Sequence, residues 1–325
     1  MNQFSYYRAS TVKAAIDAAS RSGNTRFIAG GTNLLDLMKS GVLTAETLVD
    51  INKLPLREIR QEQNRLHIGA LVLNSSLAED DIVKKQYPLL SEALLAGASP
   101  QLRNMATVGG NLLQRTRCTY FYDTTMPCNK RTPGSGCGAM DGINRMHAIF
   151  GVSDQCIAVH PSDMCVALAA LDANILVAGP KGQRTIAMKD FHRLPGNTPQ
   201  LDNTLGKTEL ITAVEIPAAN FTNWHYLKVR DRASYAFALV SVAVALQVEN
   251  NRIKDARIAL GGVASKPWRL LQTEQLLKGQ TPTADNFRKA AEKSIEGAVT
   301  RTYNAFKPAM VVNSIQTALL KSVAI

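Results

Sequence analysis

The sequence lacks long apolar runs, and this absence excludes a membrane-spanning segment. The longest run, from about Tyr235 to Val248, is interrupted by Ser241 and is shorter than the roughly 20 residues with which a helix crosses a bilayer. The N-terminal stretch Met1–Arg8 has no apolar core of the kind found in a secretory signal. We therefore expect a soluble chain that carries no export signal of its own.

Several familiar catalytic motifs are also absent. The sequence has neither a P-loop lysine motif nor H-E-x-x-H, and its five histidines form no group with metal-ligand spacing. The segment Gly134–Ala139 matches a loose dinucleotide pattern, but no strand precedes it and no helix signal follows it. The sequence therefore indicates neither a P-loop enzyme nor an H-E-x-x-H zinc enzyme nor a Rossmann domain.

Aromatic residues are scarce, at 6% of the chain, whereas basic residues are in excess and give a formal net charge of +11. A basic surface suits nucleic acid, acidic proteins or anionic cofactors, and it is equally typical of an ordinary solvated surface. So few aromatic side chains make a poor stacking platform for bases. A nucleic-acid-binding iron–sulfur protein is thus a remote alternative, and it would bind in a strongly salt-dependent way.

Cysteine is absent from most of the chain, and all five cysteine residues lie between positions 118 and 165. Cys118, Cys128, Cys137 and Cys156 occupy a stretch rich in Arg, Lys, Gly and Pro in which helical and strand periodicity disappears. Because disulfides usually join distant parts of a chain, this clustering favours a metal or cluster site. Four thiolates suit a [4Fe–4S] cluster, and they suit a structural zinc ion equally well. Cys165 lies in an apolar helical run and is predicted to be a small core residue.

The length of 325 residues predicts two or three packed domains. Short strands and amphipathic helices alternate along the chain, and the pattern breaks near Pro55 and again near residue 220. We predict an α+β fold in three pieces. These are residues 1–55, residues 56–220 with an inserted cysteine loop at 115–156, and residues 221–325.

Two glycine-containing turns are candidates for binding a phosphate. The first joins a short strand to a helix at Phe27–Leu34, where Gly30 and Gly31 allow a ligand to approach the backbone closely. The positive end of the following helix favours an anion such as a pyrophosphate. The second turn is Thr107–Asn111. Each is also consistent with an ordinary loop, but two such turns are able to bracket one extended ligand.

Two polar segments add weaker signals. In Pro161–Asp163, the aspartate is suited either to cap the next helix or to accept a hydrogen bond from a ribose hydroxyl. In Lys228–Ala236, the four charges are typical of a solvated turn, and alternatively Lys228 reaches an anionic or carbonyl edge of a bound cofactor. The joint presence and order of the four segments carry more weight than any one of them.

Taken in order, these segments resemble the FAD-binding subunit of the xanthine dehydrogenase family of molybdenum hydroxylases. The matching motifs are A-G-G-T-N-L at 29–34, T-V-G-G-N at 107–111, P-S-D at 161–163 and K-V-R-D-R-A-S at 228–234. The resemblance covers essentially the whole chain. It implies a two-part, PCMH-like FAD-binding domain followed by a C-terminal α+β domain of the CO dehydrogenase flavoprotein type.

The resemblance also implies a cofactor site. Both turns would hold the FAD pyrophosphate, the aspartate would bind toward the ribityl or ribose portion, and the lysine would approach the flavin ring. The implied FAD-binding residues are Phe27, Ile28, Ala29, Gly30, Gly31, Thr32, Asn33, Leu34, Thr107, Gly110, Asn111, Asp163 and Lys228.

The cysteine region resembles a narrower branch of the family. T-R-C-T-Y-F-Y-D at 116–123 and P-C-N-K-R-T-P-G-S-G-C at 127–137 are similar to bacterial three-subunit aldehyde oxidoreductases, whose flavin subunit carries a [4Fe–4S] cluster in an inserted loop. The implied ligands are Cys118, Cys128, Cys137 and Cys156. The nearby basic residues that would offset the charge of an anionic cluster are Arg115, Arg117, Lys130, Arg131 and Arg145.

The branch implies a heterotrimer with a molybdenum cofactor-binding large subunit and a small [2Fe–2S] subunit. Electrons from aldehyde oxidation would pass through iron–sulfur centres to FAD and an external acceptor, with no acid–base catalyst in this chain. The alternative is the FAD subunit of a purine, carbon monoxide or aromatic acyl-CoA oxidising complex. In the enzymes that the cysteine region resembles, the complex is exported folded by means of a signal on a partner subunit. We therefore expect a periplasmic location for this chain, and a cytoplasmic location is the alternative.

Overall fold

The chain begins with a small parallel sheet. The computed structural model describes residues 1–218 and 220–323, so the last two residues of the predicted C-terminal piece lie outside it. The strands are β1 (Ser5–Arg8), β2 (Thr25–Ile28) and β3 (Thr47–Asp50), and all pair in parallel in the order β1-β3-β2. Helices α1 (Val12–Ala19) and α2 (Leu34–Lys39) connect them. Thr11 accepts a hydrogen bond from the Ala14 amide and caps α1.

A five-stranded antiparallel sheet forms the second region, in the order β4-β5-β8-β6-β7. Its strands are β4 (Ile59–Glu62), β5 (Arg65–Gly69), β6 (Asn174–Gly179), β7 (Gly182–Ala187) and β8 (Leu210–Pro217). Most of the short helices of the chain belong to this region. They are α3 (Asn74–Glu79), α4 (Asp81–Gln86), α5 (Pro88–Ala96), α6 (Pro100–Arg103), α7 (Val108–Leu112), α8 (Thr119–Tyr122), α9 (Asp163–Ala170) and α10 (Met188–Phe191).

A four-stranded antiparallel sheet forms the third region, in the order β12-β11-β10-β9. Its strands are β9 (Asn223–Val229), β10 (Val240–Glu249), β11 (Arg252–Gly261) and β12 (Trp268–Arg269). Three helices follow the last strand: α11 (Leu271–Leu277), α12 (Ala284–Lys293) and α13 (Lys307–Val323). No helix among the described residues has the length and apolarity needed to cross a bilayer.

The central strand β10 packs on both of its faces. Because side chains alternate along a strand, Val242 and Val244 enter the core formed with α11–α13, whereas Ala243 and Ala245 enter the core that contains α5 and α9. The small alanines leave room for these helices against the sheet. This packing brings the first turn of α9 close to β9, where part of the candidate site lies.

The predicted mixture of helices and sheets is confirmed, but some local predictions are wrong. The Thr107–Asn111 segment is the start of the short helix α7, not a free turn, because the Thr107 side chain accepts from the Gly110 amide and caps it. The end of the cysteine loop forms no strand, and only an isolated bridge joins Ser153 and Cys156. The helix after Pro161 is capped by Ser162 and not by Asp163.

The helix α13 begins at a fully buried lysine. Lys307 Nζ donates to the carbonyl oxygens of His147, at 2.8 Å, and Gly262, at 2.7 Å. These bonds tie α13 to the cysteine loop and to the end of β11. Burial, and secondarily the charge of Arg145, lowers the pKa of Lys307 to about 7.

This lysine predicts a pH dependence of stability. The unfolded chain binds the Lys307 proton more tightly than the folded chain, so the free energy of unfolding should rise with pH between about 7 and 10. Relative to Lys307→Met, the wild type should gain on the order of 3 kcal/mol over that interval, measured by urea unfolding of the full chain. Lys289 is exposed, so Lys289→Met should leave the dependence of the unfolding free energy on pH the same as in the wild type. If the free energy of unfolding changes with pH equally in the wild type and in Lys307→Met, the lysine does not titrate in this range.

Candidate functional site

A cavity of about 690 Å³ takes its walls from all three regions of the chain. Its volume lies within the roughly 300–1,000 Å³ of pockets that bind cofactors and other small molecules. Six of the predicted FAD-binding residues line it: Thr32, Asn33, Gly110, Asn111, Asp163 and Lys228. The remaining predicted FAD-binding residues do not line the cavity: Phe27, Ile28, Ala29, Gly30, Gly31, Leu34 and Thr107.

The residues of the first turn that do not line the cavity shape the backbone beside it. Gly31 has a φ of +73°, a conformation that glycine adopts without strain. At Gly30, a Cβ atom would lie only 1.8 Å from the carbonyl oxygen of Met105, just before the second turn. The absence of a side chain at Gly30 therefore lets the first turn contact the chain just before the Thr107–Asn111 segment. Both glycine-containing segments thus contribute residues to one cavity wall, and their binding of a single ligand stays a prediction.

Among the described residues, two that line the cavity have a buried donor without a partner, Asn33 at Nδ2 and Arg117 at Nε, and such donors suit an anion. Asn33 Oδ1 accepts from the backbone amide of Arg115 at 2.9 Å, which fixes the side chain. Its Nδ2 is buried and has no hydrogen-bond partner among the described residues. Buried donors are normally paired, so this one fits an oxygen of a bound ligand such as a phosphate. Asn111 differs, because its Oδ1 already accepts from Ser162 Oγ at 2.6 Å.

Asp163 and Lys228 form a buried ion pair at the edge of the cavity. Lys228 Nζ lies 2.8 Å from Asp163 Oδ2, and only 4% and 8% of the two side chains are exposed. Tyr226 donates to the other carboxylate oxygen at 2.7 Å, and Lys228 also donates to the carbonyl oxygen of Ala96 at 3.0 Å. The pair therefore joins α9 to β9 and α5. The sequence suggested separate contacts of each residue with FAD, and it did not indicate that they bind each other.

The structure brings together the four cysteines predicted as ligands. Cys118, Cys128, Cys137 and Cys156 line one small cavity, and all are free thiols. Cys128 and Cys137 face each other across an isolated bridge. Burial raises the pKa of Cys118 to about 12, and it raises the pKa of Cys156 as well. Without a metal Cys118 and Cys156 are therefore neutral thiols, and binding a metal there would release protons.

The spacing of these thiols distinguishes between the two kinds of site that the sequence left open. In the described part of the chain, no three of the four sulfurs lie within 4.8 Å of one another. A tetrahedral zinc ion with bonds of about 2.3 Å holds its sulfurs roughly 3.8 Å apart. A cluster of several irons spreads its ligands more widely. The donor set therefore fits a four-thiolate cluster better than a single zinc ion.

The basic residues of the loop are mostly neutralised by protein carboxylates. Only Lys130 lines the cysteine cavity, and its charge lowers the pKa of Cys156 against the larger effect of burial. Arg131 donates to the backbone carbonyl oxygens of Tyr120 and Phe121. Four of the five are thus already paired with carboxylates, and the idea that the five offset the charge of a cluster stays a prediction. The ion pairs are Arg115 and Lys130 with Asp202, Arg117 with Asp36, and Arg145 with Asp231.

A largely apolar chamber of about 300 Å³ adjoins both sites. It shares Cys118 and His147 with the cysteine cavity, and Ser162, Asp163 and Phe237 with the large cavity. Periodicity and motifs gave no signal for this chamber, because its walls come from distant parts of the chain. The motif that carries the resemblance ends at Ser234. The sequence indicated no binding role for the next three residues, yet the large cavity is lined by Tyr235, Ala236 and Phe237.

A second grouping of possible ligands lies in the core. His160, Cys165 and His192 place their ligand atoms within 4.8 Å of one another, which the sequence did not indicate. The Ser162 amide donates to His160 Nδ1, and His192 Nε2 donates to the Leu112 carbonyl oxygen. Burial lowers the pKa of both histidines, so each ring is neutral. The proton of His160 then lies on Nε2, and this tautomer leaves His160 no free nitrogen for a metal.

Comparisons with known proteins agree with this geometry. Residues 2–219 match the FAD-binding domain in molybdopterin dehydrogenase, and residues 225–320 match the CO dehydrogenase flavoprotein C-terminal domain. The chain belongs to this family of FAD-binding subunits. It is therefore an oxidoreductase subunit of the molybdenum hydroxylase type, and the predicted order of FAD-binding domain and C-terminal domain is confirmed.

Relatives extend over nearly the whole chain. It is 48% identical to the aldehyde oxidoreductase FAD-binding subunit PaoB of Escherichia coli (strain K12), over 99% of both chains. It is 30% identical to the glyceraldehyde dehydrogenase medium chain of Sulfolobus acidocaldarius, over 90% of this chain and 86% of that one. Among solved structures, carbon monoxide dehydrogenase from Hydrogenophaga pseudoflava superposes with a TM-score of 0.78 at 26% identity, covering 99% of this chain and 97% of the other.

The buried ion pair predicts a large and specific loss of stability. Replacing Lys228 with Met leaves the Asp163 charge buried without its ionic partner, which should cost about 3–5 kcal/mol in the free energy of unfolding. The double variant Lys228→Met, Asp163→Asn should recover a large part of that loss, because no unpaired charge remains. Urea unfolding of the two variants measures the difference. A cost below about 1 kcal/mol for Lys228→Met alone would mean that the pair is not formed as described.

A matched pair of glycine variants tests whether the first turn is needed for flavin binding. Gly31 and Gly41 share a φ of +73°, but Gly41 has no atom within 4 Å of its would-be Cβ and lies away from the cavity. Valine at either position should cost about 1–3 kcal/mol in backbone strain. Only Gly31→Val should also lose FAD, measured as flavin released from the purified chain. Normal flavin content in Gly31→Val would contradict the role of this turn.

Proposed function

We propose that the chain is the FAD- and [4Fe–4S]-binding electron-transfer subunit of a molybdenum-dependent aldehyde oxidoreductase. The observation that carries the proposal is the convergence of four free thiols on a single cavity, with no three of their sulfurs within 4.8 Å of one another among the described residues. The 48% identity to a subunit named for aldehyde oxidation, along the whole length of both chains, supports the choice of substrate class. The molybdenum subunit that would bind the aldehyde is a different chain.

The FAD site would use the two glycine-containing turns and the buried pair. We assign the pyrophosphate to the Phe27–Leu34 and Thr107–Asn111 segments, because both line the cavity and the first contributes the unpaired Asn33 Nδ2. Asp163 and Lys228 line the same cavity, and their ion pair holds the wall that the C-terminal region contributes. When bound, FAD supplies the redox chemistry, taking up electrons and passing them to an external acceptor. The role of this chain is to bind and orient the cofactor.

The cluster site would use Cys118, Cys128, Cys137 and Cys156. When bound, a [4Fe–4S] cluster supplies one-electron redox chemistry. The chain holds the four sulfurs at fixed positions by anchoring the loop at two points. Lys130, itself buried, binds Asp202 and the carbonyl oxygen of Pro199. Lys307 holds the other end of the loop through the carbonyl oxygen of His147.

The assembly and location follow from the same proposal. We infer a heterotrimer with a molybdenum cofactor-binding large subunit and a small [2Fe–2S] subunit, supported by relatives that are named as subunits or medium chains. We propose three structural units, 1–55, 56–220 and 221–325, since each of the three sheets takes its strands from one of them. A periplasmic location through co-export with a partner is part of the proposal, with a cytoplasmic complex as the alternative outcome of fractionation.

Anaerobic metal and flavin analysis of two cysteine variants tests the proposal. The wild-type chain should hold about four irons and one FAD. Replacing Cys128 with Ser should remove most of the iron and leave the flavin, because only the cluster loses a ligand. Cys165→Ala is the matched control, since this cysteine lies outside the cluster cavity, and it should keep both cofactors. A wild-type chain with one zinc and no iron would overturn the cluster assignment without affecting the FAD assignment.

A further inference from the structure

One histidine contacts a proposed cluster ligand directly. His147 Nε2 lies 3.1 Å from Cys118 Sγ, within hydrogen-bonding distance for a sulfur acceptor. Among the described residues, it is the one side chain that forms a hydrogen bond with any of the four cavity sulfurs. The ring is buried and lines both the cysteine cavity and the apolar chamber beside the large cavity. It therefore stands in the wall between the cysteine cavity and the apolar chamber.

The direction of this hydrogen bond follows from the chemistry of the sulfur. A cysteine that ligates iron is a thiolate, which has no proton and accepts hydrogen bonds only. If the ring proton were on Nδ1, the lone pair of Nε2 would face the lone pairs of the sulfur. The proton is therefore placed on Nε2, which donates to Cys118. His147 Nδ1 is then an acceptor, and it has no partner in the described part of the chain.

The position of His147 is fixed by its backbone and not by a second side-chain contact. Its amide donates to the carbonyl oxygen of Asn144 at 3.0 Å, and its carbonyl oxygen accepts from Lys307 Nζ at 2.8 Å. The neighbouring carbonyl oxygen of Ala148 accepts from the fully buried Asn304. Residues at the start of α13 thus hold this part of the loop in place. The ring has a fixed donor geometry at the sulfur.

We propose that His147 is a positioning residue that tunes the cluster, by donating a hydrogen bond to the Cys118 sulfur and thereby raising the reduction potential. This inference rests on the proposed function, since it requires the cluster to be present. Reduction adds negative charge to the cluster and its sulfurs, so a donor at a sulfur stabilises the reduced state more than the oxidised one. Hydrogen bonds to the sulfurs are among the factors that set the potentials of such clusters.

Potentiometric titration followed by electron paramagnetic resonance tests the inference on the full-length, anaerobically purified chain. His147→Leu removes the donor at similar size and should lower the midpoint potential of the cluster while iron content stays normal. His147→Gln keeps an N–H that is able to reach the sulfur and should restore most of the shift. His67→Leu is the matched control, because His67 lies on β5 beside Glu215 and away from the cluster cavity. It should leave the potential unchanged.

The outcomes separate this inference from the proposed function. If the wild-type chain holds no iron, the cluster assignment fails and the inference fails with it. If the wild-type chain holds the cluster but His147→Leu has the wild-type potential at full iron content, only the role of His147 is wrong. If His147→Leu fails to fold, the test is pulsed electron paramagnetic resonance on the wild-type chain labelled with nitrogen-15 histidine. A histidine nitrogen coupled to the reduced cluster supports the hydrogen bond, and the absence of any coupling overturns it.

Discussion

The buried ion pair of Asp163 and Lys228 is the interaction on which the candidate FAD site most depends. It joins the first turn of α9 to β9, so it fixes the C-terminal sheet against the region that carries the second glycine turn. Two unpaired charges at these positions would be costly, because so little of either side chain reaches water. Tyr226 and the carbonyl oxygen of Ala96 complete the hydrogen bonds of the pair. The cavity wall is therefore held by charges that satisfy each other and need no ligand to keep them in place.

The cysteine loop meets a different constraint, since it has little regular structure of its own. Long loops are costly to order, and this one is ordered by lysines that reach backbone carbonyl oxygens in other parts of the chain. Lys130 anchors one end at Pro199, and Lys307 anchors the other at His147. With the loop held at these two points, its four sulfurs line one cavity. The apolar chamber that adjoins both cavities places the proposed cluster next to the proposed flavin site.

Much of this arrangement was predictable from the sequence, and the remainder follows from contacts between distant residues. Local signals located the turn at Gly30–Gly31 and the core position of Cys165, because each depends on a few adjacent residues. The pairing of Arg115 with Asp202 spans 87 positions, so the sequence predicted a free charge near the cluster where the structure has an ion pair. The Asp163–Lys228 pair and the His147–Cys118 contact were missed for the same reason. Residue type and spacing indicate which groups are able to bind a cofactor, but only the tertiary structure shows which of them already bind each other.

Anomalous diffraction at the iron and zinc edges, from crystals of the anaerobically purified chain, tests the central claim most directly. The account predicts one iron peak of four atoms enclosed by Cys118, Cys128, Cys137 and Cys156. It also predicts electron density for FAD along the two glycine turns. A single zinc peak among these cysteines, or four thiols without any metal beside a bound flavin, would contradict the account of the cysteine loop.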